Sequence, residues 1–134
     1  MTRILQVDDD KDHLKLFTMI LENQGFTLGT YSDPSAALSQ FKPNYYDLAV
    51  IDYLMPNLNG LELYKRIRDI DPSTKALSAS HEQLTDENNQ LQGRDNLRVI
   101  RKPITNEELL SEIDSILNQV TTPVLDMVQL VKRQ

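Results

Sequence analysis

The spacing of apolar and polar positions along this chain switches repeatedly between two periods, and each switch marks an element. Ile4, Leu5 and Val7 form a short apolar run that stops at Asp8, Asp9 and Asp10, which predicts a strand running into an acidic loop. Leu14, Phe17, Ile20 and Leu21 then recur three and four residues apart, as on one face of a helix, and Gly25 ends that helix. Thr27 to Tyr31 predicts a short strand. Asp33-Pro34 starts a second helix, with Asp as N-cap, Pro in the first turn, and Ala37, Leu38 and Phe41 on the apolar side. Leu48, Ala49, Val50 and Ile51 form a continuous apolar run, as expected of a parallel strand covered on both faces, and it stops on Asp52. Pro56 and Gly60 mark the loop beyond it.

The alternation continues to the end of the chain. Leu61, Leu63, Tyr64, Ile67 and Ile70 predict a third helix, and Lys75 to Ser80 a strand of small residues. Glu82 to Asn96 is polar; a helix is assigned there although only Leu84 and Leu91 anchor it and Asn88, Asn89 and Gly93 oppose it. Leu97, Val99 and Ile100 make a fifth strand. Thr105-Asn106-Glu107-Glu108 is a capping box, and the helix it opens carries Leu109, Leu110, Ile113, Ile116, Leu117 and Val120 on one face. Five strands alternating with five helices predict an α/β fold: a doubly wound parallel sheet, helices on both faces, ligands at its carboxyl edge.

Composition narrows the picture. A chain of 134 residues suits one domain, and 40% hydrophobic residues suffice for its core. No cysteine means no disulfide framework and no thiolate metal site. There is no run of roughly 18 apolar residues and no signal-peptide pattern, so the expectation is a cytoplasmic protein with no membrane partner. A net charge of −6 without a basic face argues against nucleic-acid binding by this domain.

The acidic residues change the picture most. In a doubly wound sheet the first and third strands are neighbours, so Asp8, Asp9 and Asp52 converge. Like charges about 4 Å apart repel by roughly 4 kcal/mol at an effective dielectric near 20. A proton would offset this, but an all-oxygen pocket open to solvent suits Mg²⁺ or Mn²⁺ better. Lys102, held extended by Pro103, can aim an ammonium along the same edge toward a phosphate. Ser78 and Ser80 each offer a hydroxyl near the end of the fourth strand. His81 is read as an exposed loop residue.

The order Val7-Asp8-Asp9-Asp10, Asp52-Tyr-Leu-Met-Pro-Asn-Leu-Asn-Gly60, Ser, Lys102-Pro103 resembles the receiver domains of two-component response regulators. The resemblance spans about residues 3 to 120, and the joint pattern is far more specific than any one piece. It implies a five-stranded, flavodoxin-like sheet in the order 2-1-3-4-5. It implies that Asp52 accepts a phosphoryl group from a sensor histidine kinase or phosphotransfer protein. Asp8 and Asp9, Asp9 more directly, would hold Mg²⁺ together with Asp52 and the backbone carbonyl of Leu54, and Lys102 would pair with the phosphoryl oxygens. Such a chain is a switch that changes its protein partners. At most it catalyses its own phosphorylation and dephosphorylation.

Three features depart from the family pattern. Family spacing favours Ser80 as the switch hydroxyl; Ser78 is the alternative and requires a shorter connection before the strand. Val99 stands where an aromatic usually moves with that hydroxyl. The stretch from Glu82 to Asn96, commonly the output face, is weakly anchored. Two rival functions follow: a receiver-shaped interaction module that is never phosphorylated, and a metal-dependent phosphohydrolase. The second is disfavoured because Leu54 stands where such enzymes carry a general-acid Asp. Residues 1–120 are expected to form the receiver. Residues 121–134, with Val124, Leu125, Met127, Val128 and Val131 at helical spacing, are expected to form a short appended helix, or alternatively a linker or homodimer helix.

Overall fold

The computed structural model describes residues 2–53, 55, 58–80, 97–101 and 103–118. Strands β1 (Arg3–Val7), β2 (Thr27–Tyr31), β3 (Leu48–Asp52), β4 (Lys75–Ser80) and β5 (Leu97–Arg101) form one parallel sheet in the order 2-1-3-4-5. The helices among the described residues are α1 (Lys11–Asn23), α2 (Pro34–Gln40), α3 (Gly60–Ile70) and α4 (Asn106–Leu117). This is the doubly wound arrangement that the alternating pattern predicts. The helix expected between Glu82 and Asn96, the loop residue His81, the last-helix position Val120 and the tail 121–134 lie outside the described residues. So do Leu54 and Lys102.

Local chemistry sets the element ends. Asp10 caps α1 by accepting from the backbone N–H groups of Asp12 and His13. The helix closes with Gly25 at φ 92°, where Gly25 N–H donates to Glu22 and Phe26 N–H to Leu21. This is a left-handed termination that glycine adopts without Cβ strain. Asp33 caps α2 with Pro34 in its first turn, and Thr105 and Glu108 complete the capping box of α4. Asp71 ties two connections together, accepting from Ser73 after α3 and from the backbone N–H of Asn44 before β3. Those hydrogen bonds, Ser73's hydroxyl first, hold its carboxyl below the ordinary carboxylate range.

The core has two halves because successive strand residues face opposite sides. Leu5, Val7, Ala49, Ile51, Ala76, Leu97 and Val99 pack under α2 and α3. Ile4, Leu48, Val50 and Leu77 pack under α1 and α4. A fully buried Leu or Ile contributes roughly 1.5–3 kcal/mol, so either half far outweighs any single surface ion pair. Ile70 belongs to α3, as its spacing with Leu63 and Ile67 predicts, but is 42% exposed. It closes the last turn of α3, beyond the sheet surface that the rest of that face covers.

Candidate functional site

Register brings the acidic residues together. Val7 pairs with Ile51, so Asp8 and Asp52 are each one residue past a matched pair on adjacent strands. Both follow the parity of Leu48 and Val50 and face the α1/α4 side. Asp52 itself pairs with Ala79, whose small side chain leaves room in front of the carboxylate. Asp8, Asp9 and Asp52 each offer a carboxylate oxygen, and these atoms lie within 4.8 Å of one another. Asp8 is buried, Asp52 half-buried and Asp9 exposed.

An open cavity of about 460 Å³ fronts this cluster. Asp8, Asp9, Asp10 and His13 line it on one side, Asp52 at the back, Pro103 and Ile104 on the other. A cavity of about 470 Å³ opens at the amino end of the sheet between Tyr45, Tyr46, Lys75 and Asn118. It gathers no set of convergent carboxylates among the described residues; the cluster that does converge lies at the carboxyl edge.

Asp8 is the most constrained member. Its Oδ1 accepts from the backbone N–H of Asp10 at 3.0 Å, and its Oδ2 lies 2.8 Å from His13 Nδ1. Burial pushes its carboxyl above the ordinary range, and the charge of Asp52 adds to this. The Asp10 N–H and His13 pull it part of the way back. Three oxygens this close, one of them raised by burial and a like charge, form a donor set that suits a hard divalent cation.

The loop after β3 positions Asp52. Met55 and Leu58 tuck into the α2/α3 half of the core, Asn59 caps α3, and Gly60 N–H donates to the Tyr53 carbonyl at 2.8 Å. A Cβ on Gly60 would stand 2.7 Å from the Asp52 carbonyl oxygen and 2.9 Å from Tyr53 Cα, so only glycine lets α3 begin this close to β3.

The two candidate serines stand two residues apart near the end of β4. Ser78 pairs with Ile51, so its side chain lies on the α2/α3 side, opposite to Asp52. It is 2% exposed, and its hydroxyl faces Gly60 with no hydrogen-bond partner among the described residues. Ser80 ends β4, one residue past the Ala79–Asp52 pair. Val99 is buried beside Ser78 in the sheet. Pro103 lies at the cavity; Lys102 and Leu54 lie outside the described residues.

Sequence reasoning missed His13. Its spacing carried the signal: it follows the N-cap Asp10 by three residues and precedes the core residue Phe17 by four, so it shares the helix face that meets the sheet. Its ring lies 4.3 Å from that of Phe17.

Comparison with known proteins agrees with this geometry. The family model "Response regulator receiver domain" matches residues 4–114. The "Transcriptional regulatory protein CpxR homolog" of Haemophilus influenzae is 32% identical over 124 residues, 92% of this chain and 53% of that protein. The chain thus spans about half the length of that relative. The "Response regulator receiver protein CpdR" of Brucella abortus is 26% identical, over 87% of this chain and 98% of its own length. Among solved structures, the non-phosphorylated HemR receiver domain of Leptospira biflexa superposes with a TM-score of 0.80 at 26% identity, covering 92% of this chain and 98% of that one.

Proposed function

The chain belongs to the response regulator receiver domain family, and from that premise we propose that it is a phosphorylation switch with Asp52 as the phosphoacceptor. The observation that carries this reading is the meeting of the Asp8, Asp9 and Asp52 carboxylate oxygens within 4.8 Å at the carboxyl edge of the sheet. A carboxylate oxygen of Asp52 attacks the phosphorus of a phosphohistidine on a sensor kinase or phosphotransfer protein. The new O–P bond forms as the P–N bond breaks, and the imidazole leaves with the electron pair.

Both partners are anionic, so the attack needs positive charge nearby. Asp8, Asp9 and Asp52, with the backbone carbonyl of Leu54, would hold Mg²⁺ or Mn²⁺. When bound, this ion supplies charge neutralisation and alignment. Lys102 supplies a second positive charge to the phosphoryl oxygens; it directly precedes Pro103, which lines the same cavity. Ser80 donates its hydroxyl to the phosphoryl group. Ser80 is chosen over Ser78 because it stands nearer the carboxyl end of β4.

Residues 1–120 act as the receiver, in the cytoplasm, where a kinase can charge its histidine from ATP. Output follows from exchange of protein partners, one of them a downstream target, and not from turnover of outside substrates. Residues 121–134 are a segment appended to it. The test is incubation with Mg²⁺ and a small acyl-phosphate donor, read by intact mass. The unmodified chain should gain one phosphoryl group and Asp52→Asn none. Labelling of Asp52→Asn at the unmodified level would refute the assignment, and no labelling of either would favour a binding module that is never phosphorylated.

A further inference from the structure

We propose that His13 is a positioning residue for the divalent cation, holding Asp8 in its metal-competent orientation through Nδ1. This rests on the metal reading above and extends it to a residue outside the carboxylate set.

Asp8 can bind an ion only if its carboxylate is turned toward Asp9 and Asp52. A carboxylate at the end of a strand turns freely about χ2 unless both oxygens are held. Here one is held by the Asp10 N–H, at 3.0 Å, and the other by His13 at 2.8 Å. An ionised carboxylate only accepts, so Nδ1 must carry the proton. His13 is fixed in turn: its backbone N–H donates to the Asp10 cap and its ring lies against Phe17, which is buried at 9% exposure. The chain of support therefore runs from the core through Phe17 and His13 to Asp8. Hydrogen-bond partners of metal-ligating carboxylates typically set affinity by 10–100-fold. With each Asp8 oxygen already accepting one hydrogen bond, fewer lone pairs are left for the ion, and Asp9, exposed beside it, is the more open ligand.

Two substitutions separate donation from packing. His13→Asn keeps an N–H donor at the place of Nδ1. His13→Leu keeps apolar contact with Phe17 and loses the donor. Titrate Mg²⁺ into each chain, without phosphate, following backbone amide shifts of residues 8–10 and 52. Mg²⁺ affinity should fall roughly tenfold in His13→Leu and stay within about threefold in His13→Asn. In the Mg²⁺-loaded unmodified chain, ¹⁵N shifts of the imidazole should show the proton on Nδ1. Unchanged affinity in His13→Leu, equal losses in both variants, or a bare Nδ1 in the loaded chain would each overturn the proposal while leaving the metal reading intact. Absence of Mg²⁺ binding in the unmodified chain would overturn the metal reading and this proposal together.

Discussion

Asp8 shows how a site can be kept at a cost to stability. Burial and the charge of Asp52 raise its carboxyl above the ordinary range. The folded chain therefore binds that proton more tightly than the unfolded chain. Stability is full below the unfolded value and falls as pH rises through the folded one. Asp8→Asn removes the charge while its amide oxygen can still accept from Asp10. In EDTA at neutral pH this variant should melt roughly 4 °C above the unmodified chain, equivalent to about 1 kcal/mol. Below the unfolded carboxyl's range, at about pH 3, the gap should close. Millimolar Mg²⁺ should close or reverse the gap by binding only the unmodified folded state. Thermal melts under the three conditions check this, and a less stable Asp8→Asn in EDTA would contradict it.

Between elements, the tightest constraint is the meeting of β3 with the start of α3. Gly60→Ala would drive a Cβ to 2.7 Å from the Asp52 carbonyl oxygen, and backbone cannot move aside as a flexible side chain can. The helix start must shift instead. The shift should break the Gly60–Tyr53 hydrogen bond and carry the loop after Asp52 with it. We expect a loss of about 2–3 kcal/mol in denaturant unfolding, with phosphorylation slowed at least tenfold. Stability and phosphorylation rate both unchanged would show that α3 is not held here. Gly29 has a different neighbour: its missing Cβ makes room for the Tyr46 hydroxyl, which lies at the end of a side chain and can withdraw more easily.

For the molecule as a whole, the question is how an event at Asp52 reaches another surface. Val99 is buried in the α2/α3 half of the core and has no ring to turn behind a moving hydroxyl. The stretch from Glu82 to Asn96 follows Ser80 closely in sequence and carries only Leu84 and Leu91 as apolar anchors. We expect phosphorylation, or a phosphoryl mimic, to change amide hydrogen exchange across residues 82–96, with Ser80→Ala blunting the change more than Ser78→Ala. A population shift from 10:90 to 90:10 needs only about 2.6 kcal/mol, within reach of one or two charge-assisted hydrogen bonds. Changes confined to β5 and α4 would contradict this route.

The order of the described elements, the strand ends at Asp8 and Asp52, and the caps at Asp33 and Thr105 were legible in the chain, because periodicity and capping are local properties that few neighbouring residues settle. The same local pattern found Ile70 in α3 but could not show that it is exposed, because helical spacing does not say where the covering sheet ends. Family spacing favoured Ser80 over Ser78; register adds that Ser78 pairs with Ile51 and is buried against Gly60, which no local pattern could show. The spacing of His13 put it on the helix face that meets the sheet, but its pairing with Asp8 depends on how α1 packs at the carboxyl edge, which is a tertiary matter.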